Sequence, residues 1–292
     1  MSTLTPPAPT VLPSVSTTAG SLFEGTIATD GSRMVITQDK SKPKAIFDWD
    51  SFDIGSQSSV HFDQTLNGVA QRDWAALNRI GASAPSQIYG RLTADGKVYL
   101  INRNGILFGK GSQVNAHALL ASSLELSEAD FRNFANIPVQ TMTFEATGYT
   151  PGDVVNEGVI GPVREEYINS KGLLAWRDVP ANAVFLFGGS VTNSGSINAP
   201  VGQIGLAAGS RIRIEMPTEA TILTRPNPYV YVTGLEGVSG TVSNLATGDL
   251  NAATGLVGMY GKMVEQNGIA RAVTAIRKNG RIELRATDRI TL

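Results

Sequence analysis

Three carboxylates within six residues are the first place to look for chemistry. The stretch Ile46-Phe47-Asp48-Trp49-Asp50-Ser51-Phe52-Asp53-Ile54-Gly55 carries Asp48, Asp50 and Asp53. Acids clustered on a strand serve acid–base cleavage of polysaccharides, or hold Ca²⁺. The same alternation has a plainer reading: Asp48 and Asp50 line the wet face of a strand whose other face carries Phe47 and Trp49. Gly105-Ile106-Leu107-Phe108-Gly109-Lys110-Gly111-Ser112 approaches a phosphate loop, but Gly111 separates the lysine from the serine and a strand-like run follows instead of a helix. His61 and His117 lie far apart, and the alternation in Val60-His61-Phe62 turns His61 away from its apolar neighbours. Neither Gly-x-Gly-x-x-Gly nor Gly-x-Ser-x-Gly occurs. No catalytic, metal or cofactor site is therefore assigned.

The elements that position these residues are constrained by the whole chain. Its 292 residues, 42% hydrophobic, suffice for one elongated domain or two compact ones. A net charge of −1 supplies no basic field for nucleic acid or anionic lipid. No apolar run approaches the roughly 18–20 residues of a membrane helix, so no membrane insertion is expected. Cysteine is absent, which removes disulfides and thiolate metal sites and suits a chain that crosses membranes unfolded. The start, MSTLTPPAPTVLPSVSTTAG, lacks the basic and apolar regions of a secretory signal peptide. That fits a cytosolic protein, or a mature form with an added Met. Rich in Pro, Ser and Thr, residues 1–20 are expected to be a flexible segment.

One phrase recurs. GKVYLINRNGILFG, Gly96 to Gly109, splits two apolar runs with Asn102-Arg103-Asn104-Gly105, and Asn-Gly is a turn signal. Aligned on glycine, Gly202-Gln203-Ile204-Gly205-Leu206 and Gly280-Arg281-Ile282-Glu283-Leu284 repeat its first half. Ile106, Ile212 and Ile290 then align across the gap, with Phe108, Ile214 and Leu292 after them. A second phrase, Val155-Asn156-Glu157-Gly158, is echoed by Val191-Thr192-Asn193-Ser194-Gly195 and by Val264-Glu265-Gln266-Asn267-Gly268. The spacings suit coils of roughly 20 residues with loops of varying length. A β-sandwich also shows short strands and frequent turns, but does not require one phrase in the same columns. The chain reads as all-β, a parallel β-solenoid in which Asn102 and Asn104-Gly105 form a corner rather than a hairpin.

Helix signals are sparse. Ser127-Glu128-Ala129-Asp130 resembles a capping box ahead of Phe131 and Phe134, and Asp73 to Asn78 reads as a short helix or a loop. Residues 133–182 break the rhythm and are expected to leave the solenoid. The resulting division is a segment 1–20 and a single domain 21–292 with an excursion at about 133–182.

Ordered phrases between about residues 25 and 130 resemble a known family. They are Gly25-Thr26-Ile27, Ile46 to Gly55, Val60 to Gln64, Ala76 to Ile80, Pro85-Ser86-Gln87-Ile88-Tyr89-Gly90-Arg91-Leu92, the Gly96–Gly109 stretch, and Leu119 to Leu124. Together they look like the N-terminal secretion domain of two-partner-secretion exoproteins, the filamentous-haemagglutinin and haemolysin group. The chain departs from that family where Arg103 replaces the proline of Asn-Pro-Asn-Gly, where Asn-Pro-Asn-Leu has no counterpart, and in an insertion at about 161–182. The resemblance implies a right-handed parallel β-helix with N-terminal capping strands and an extra-helical excursion.

It further implies a secretion-targeting module of a large, adhesin-like exoprotein. Such a module passes through the periplasm of a Gram-negative bacterium, is recognised there by the periplasmic (POTRA) domains of an outer-membrane transporter, and folds at the cell surface. Asn102, Arg103, Asn104 and Gly105 are then either a turn needed for folding or a turn that also touches the transporter. Gln64, Asn78, Pro85, Ser86, Gln87, Gly90, Gly96 and Gly109 match family positions, and buried hydrogen bonding between coils accounts for the polar ones. An unfinished last coil ending at Ile290-Thr291-Leu292 is expected to associate end to end. Rival readings are a β-helix carbohydrate-active enzyme using the three aspartates, and a module whose excursion grips a surface ligand.

Overall fold

The recurring apolar alternation builds three parallel ladders in the computed structural model, which describes residues 4–134, 141–161, 163–168, 173–179, 182–200, 202–215, 231–236, 240–253, 255–272 and 281–292. Ladder A stacks Lys44–Ser51, Ala75–Ile80, Lys97–Ile101, Ala118–Ser122, Ala183–Gly188, Gln203–Ala208 and the first parts of Leu256–Gln266 and Arg281–Thr291. Ladder B stacks Ser86–Ile88, Ile106–Phe108, Val154–Asn156, Val191–Asn193, Thr241–Asn244 and the later part of Leu256–Gln266. Ladder C runs from Arg33–Gln38 through Ser59–Asp63, Arg91–Ala94, Gln113–Asn115, Val159–Gly161, Ser196–Asn198 and Asp249–Asn251 to Ile269–Arg271. The chain visits A, B and C in turn, which is a parallel β-helix.

Columns match the recurring phrase. Lys97, Ala118, Ala183, Gln203, Leu256 and Arg281 are successive partners, as are Val98, Leu119, Val184, Ile204, Val257 and Ile282. Coils without insertions are 22 (97 − 75), 21 (118 − 97) and 20 (203 − 183) residues long. The two strands around Asn102-Arg103-Asn104-Gly105 pair with neighbouring coils and not with each other, so the stretch is a corner. The alignment fails in one place. Ile212 and Ile214 leave the stack for a separate sheet, while Ile290 stays in register with Val264.

That separate sheet explains why ladder A is apolar on both faces. Outward residues Ile46, Leu77, Tyr99, Leu120 and Phe185 are covered by Leu124, Leu126, Phe131, Met142, Phe144, Ile212 and Ile214. The cover comprises the helix Glu128–Asn133 and an antiparallel sheet of Glu125–Leu126, Thr141–Glu145, Arg211–Glu215 and Tyr231–Glu236. Burial on two faces turns strand sequences from alternating to continuously apolar, as in Ala183-Val184-Phe185-Leu186-Phe187. Beneath it, Tyr99 packs edge-on against Phe131 at 5.5 Å, and burial pushes its phenol up to about 12.

Several local expectations change. Ala75–Ile80 is a strand, not a helix or loop, because its apolar side chains feed both the core and the covered face. The helix does begin at the Ser127 cap, whose hydroxyl accepts from the Asp130 amide at 3.0 Å. The segment 133–182 is not one excursion: Val154–Asn156 and Val159–Gly161 form rungs of ladders B and C, and the pair Val163–Ile168 and Leu174–Val179 leaves the stack as a hairpin. Residues 135–140, 162, 169–172 and 180–181 of that segment, and Gly280 of the third phrase, lie outside the described residues.

Residues 1–20 have the composition of a flexible segment, yet much of this stretch is docked. Ser14–Val15 pairs antiparallel with Lys44–Ser51, Gln57 donates its amide to the Pro9 carbonyl at 2.8 Å, and Gly55 donates to Val11 at 3.0 Å. Apolar closure of the first coil supplies the reason. Phe23 meets Phe47 edge-on at 4.9 Å, and Trp49 and Phe52 follow at 5.2 Å. Gly25–Asp30 adds an antiparallel cap to ladder C.

The cover is tied to this cap. Arg132 donates to Glu24 at 3.0 Å and to the Lys44 carbonyl at 2.9 Å, and Lys44 in turn donates to the Arg132 and Phe134 carbonyls. Burial alone raises the Glu24 pKa, but bonds from Arg132, the Ile46 amide and Lys42 outweigh it and hold the carboxyl below 4.5. A depressed carboxylate stabilises the fold above its unfolded value and loses that contribution as pH falls through its folded value. The stability gap between wild type and Glu24→Gln is therefore expected to be full above pH 4.5 and to shrink below it, read by urea melts across pH.

Candidate functional site

The corner after Ile101 is held by side chains that replace missing ladder bonds. Asn102 is fully buried; its Nδ2 donates to the Ala84 carbonyl at 3.1 Å and to Ser86 Oγ at 3.0 Å, while its Oδ1 accepts the Asn104 amide at 3.0 Å. That last bond is an Asx turn, in which a short amide side chain mimics the backbone. The Gly105 amide donates to the Asn102 carbonyl at 2.9 Å. Gly105 has φ +108°, and a Cβ there would collide with the Asp153 carbonyl of the next coil, so this position admits only glycine. The two ends of the motif are thus structural.

Its middle faces outward. Arg103 and Asn104 are exposed, and Asn104 Nδ2 donates to the Ala82 carbonyl at 2.7 Å. Arg103 pairs with Glu125 at 2.6 Å and lies over the Tyr149 ring at 5.1 Å. The Tyr149 hydroxyl donates to the Ser123 carbonyl at 3.0 Å and accepts the Glu125 amide at 3.1 Å. Burial and the nearby Glu125 carboxylate push this phenol up to about 12. Arg103 therefore spans from the corner to the loops of the cover, a contact a proline at 103 has no atoms to make. Glu125 and Tyr149 carried no sequence signal, since they lie 22 and 46 residues away (125 − 103, 149 − 103) in unrelated phrases.

The Arg103 amide makes no backbone bond among the described residues, so proline removes no donor there. Arg103→Pro is expected to change stability by less than about 1 kcal/mol, the rigid ring offsetting an exposed ion pair. It should release the Tyr149 side chain, detectable by tyrosine NMR or fluorescence.

A groove of 980 Å³ opens beside the corner, lined by Arg103, Asn104, Asp48, Arg79, Glu125 and Glu128 among others. Asp48 accepts two bonds from Arg79, at 2.6 and 2.8 Å, and the Leu22 amide at 2.7 Å. Asp53, whose pKa burial raises, accepts the Gln87 amide at 2.7 Å. Asp50 is exposed. The three aspartates are not brought to one point: Asp48 and Asp53 join different pairs of elements.

The remaining sequence candidates sit between coils. Gln64 is fully buried, donating to Gln38 Oε1 at 2.9 Å and accepting the Gly96 amide at 2.8 Å. Asn78 occupies a core-facing column, where Oδ1 accepts Trp49 Nε1 at 2.9 Å and Nδ2 donates to the Tyr99 carbonyl at 3.1 Å. Ser86 holds Asn102, and half-buried Pro85 precedes it. Gln87 keeps a buried Oε1 with no partner among the described residues. Gly90 and Gly109 donate their amides to Ile54 and Ile88 of the preceding coil, at 3.1 and 2.8 Å.

Further along ladder B, buried amides form a chain. Asn156 Nδ2 donates to Asn193 Oδ1 at 2.8 Å, and Asn193 Nδ2 donates to Asn244 Oδ1 at 2.8 Å. Gln266 continues the column. The second recurring phrase contains Asn156 and Asn193, but Asn244 escapes it because its glycine, Gly248, comes four residues later instead of two.

Similarity to other proteins decides what this corner and stack belong to. A profile of the TPS secretion domain matches residues 13–290. The chain belongs to the TPS secretion domain family. It is 30% identical over 269 residues to a heme/hemopexin-binding protein of Haemophilus influenzae strain Rd, covering 91% of this chain and 26% of that protein. A second heme/hemopexin-binding protein of Haemophilus influenzae is 41% identical over 98 residues, 34% of this chain and 10% of that one. The chain thus spans about a quarter of the length of the first relative. The crystal structure of the HMW1 secretion domain from Haemophilus influenzae superposes with a TM-score of 0.63 at 24% identity, covering 93% of this chain and 63% of that one. That likeness establishes the shared β-helix fold. The TPS domain is a secretion module of exoproteins and not an enzyme class.

Proposed function

We propose that this TPS domain is the address and the folding seed of a larger exported protein. In this reading the periplasmic (POTRA) domains of a dedicated outer-membrane transporter recognise it, and it folds coil by coil at the surface of a Gram-negative cell. The family match over residues 13–290 carries the proposal. The architecture supports the folding half: each coil pairs with the one before it, and the Ser14–Val15 and Gly25–Asp30 caps close the first coil. A chain emerging in sequence order can then add rungs without waiting for distant segments. Burial of each new coil disfavours return through the pore, so folding itself supplies direction.

Within the corner motif, Asn102 and Gly105 serve the fold, and exposed Arg103 and Asn104 beside the groove belong to the surface the transporter reads. The test of the proposal is titration of the purified domain with the soluble periplasmic portion of its transporter. Saturable binding is expected, and its absence refutes the address.

A further inference from the structure

We infer that ladder C carries a binding pocket for a single tetrahedral oxyanion, a sulfate or phosphate monoester, held between Arg33 and Arg91. The two arginines flank Ser59 as consecutive partners across three strands. Two strand spacings place their backbones about 10 Å apart. All three side chains alternate outward, since Met34, Val60 and Leu92 of the same strands are buried in the core. A cavity of 320 Å³ lies between them, completed by His61 and Thr93.

Unlike the ion-paired arginines of this fold, these two are held by nothing among the described residues. Arg79, Arg103, Arg132, Arg211 and Arg271 each meet a carboxylate within 4.0 Å. Arg33 and Arg91 meet none among the described residues, nor any side-chain hydrogen bond. Asp30, opposite Arg33 at the sheet edge, forms no ion pair with it. Asp95 lies 3.7 Å from His61 Nε2, and Asp63 stands opposite Thr37, one alternation further along the strands. His61 Nδ1 is 2.9 Å from Thr93 Oγ1, which fixes the imidazole as one wall.

Guanidinium forks match the oxygens of phosphate and sulfate, and two of them closing over a hydroxyl give a concave, cationic seat. The row does not continue as a charged stripe: the next partners are Gln113 and Val159. One anionic group therefore fits, whereas a polyanion tracking this row would meet Ser196, Asp249 and Ile269 next and no further cation. The monoester could be carried by a sulfated sugar or by a phospholipid headgroup, and both present the same oxygens.

The test uses the whole domain and three probes: inorganic sulfate, glucosamine 6-sulfate, and phosphatidylcholine vesicles with and without phosphatidic acid. Wild type, Arg33→Ala, Arg91→Ala and the control Lys40→Ala are compared by calorimetry or vesicle co-sedimentation, with circular dichroism alongside. Each arginine variant is expected to bind at least one probe about tenfold or more weakly, with its melt unchanged and Lys40→Ala equal to wild type. The probe bound most tightly names the source of the oxyanion. No saturable binding of any probe by wild type, or binding retained in both arginine variants, overturns the pocket.

Discussion

Asn193→Ala is expected to cost about 3 kcal/mol of stability, because it strands buried polar groups in two neighbouring coils at once. Asn193 is the middle of the ladder B chain, fully buried, accepting from Asn156 and donating to Asn244 at 2.8 Å each. Alanine leaves one buried donor on Asn156 and one buried acceptor on Asn244 without partners, and the Gly195 carbonyl loses a bond at 3.2 Å. A buried polar group stripped of its partner costs roughly 1–3 kcal/mol, well above the net worth of the bond itself. Since the two residues share one bond, Asn193→Ala and Asn244→Ala should be non-additive in a double-mutant cycle. Denaturant melts give both numbers. A loss below about 0.5 kcal/mol for Asn193→Ala would show that water or relaxation replaces the ladder.

Asn102→Ala is expected to cost a similar amount, about 2–4 kcal/mol, by a different route. Its side chain makes no ladder. It fixes a corner, serving the Ala84 carbonyl, Ser86 Oγ and the Asn104 amide at once. Removing it takes away the corner's buried side-chain ties to the preceding coil and the Asx bond that orders the exposed middle of the motif. Asn104→Ala loses one exposed bond to Ala82 and should cost under about 1 kcal/mol. The contrast between these two asparagines, measured by thermal and urea melts, separates the buried half of the motif from the outward half.

Much of the stack is written in the sequence because a β-helix repeats its demands. Val98, Ile204 and Ile282 meet the same inward column, so the same residue type recurs at the same offset from glycine. Where a coil departs from that demand, the pattern misleads. Ile212-Arg213-Ile214 keeps strand alternation but spends it on the cover, where it pairs antiparallel with Thr141–Glu145. Ala75–Ile80 hides its strand character because both faces are buried, and its one polar core residue, Asn78, is there to satisfy Trp49.

The corner was legible only in part. Asn-Gly marked the turn, and Gly105 does take positive φ. That Asn102 is buried while Arg103 and Asn104 are exposed depends on Ala84 and Ser86 in the preceding coil, and Arg103's engagement with Glu125 and Tyr149 depends on the cover. Such contacts between coils have no fixed spacing. The docked N-terminal segment was hidden for the same reason, since its Pro- and Ser-rich composition says nothing of the aromatic first coil that it closes.

The role as a secretion address is tested most directly by the affinity of the purified domain for the soluble periplasmic portion of its transporter, measured for wild type and for Arg103→Ala combined with Asn104→Ala. Recognition through the corner predicts saturable wild-type binding that weakens about tenfold in the variant, while circular dichroism and the melt stay unchanged. Absence of wild-type binding contradicts the role as an address, and equal binding by the folded variant removes the corner from the recognised surface.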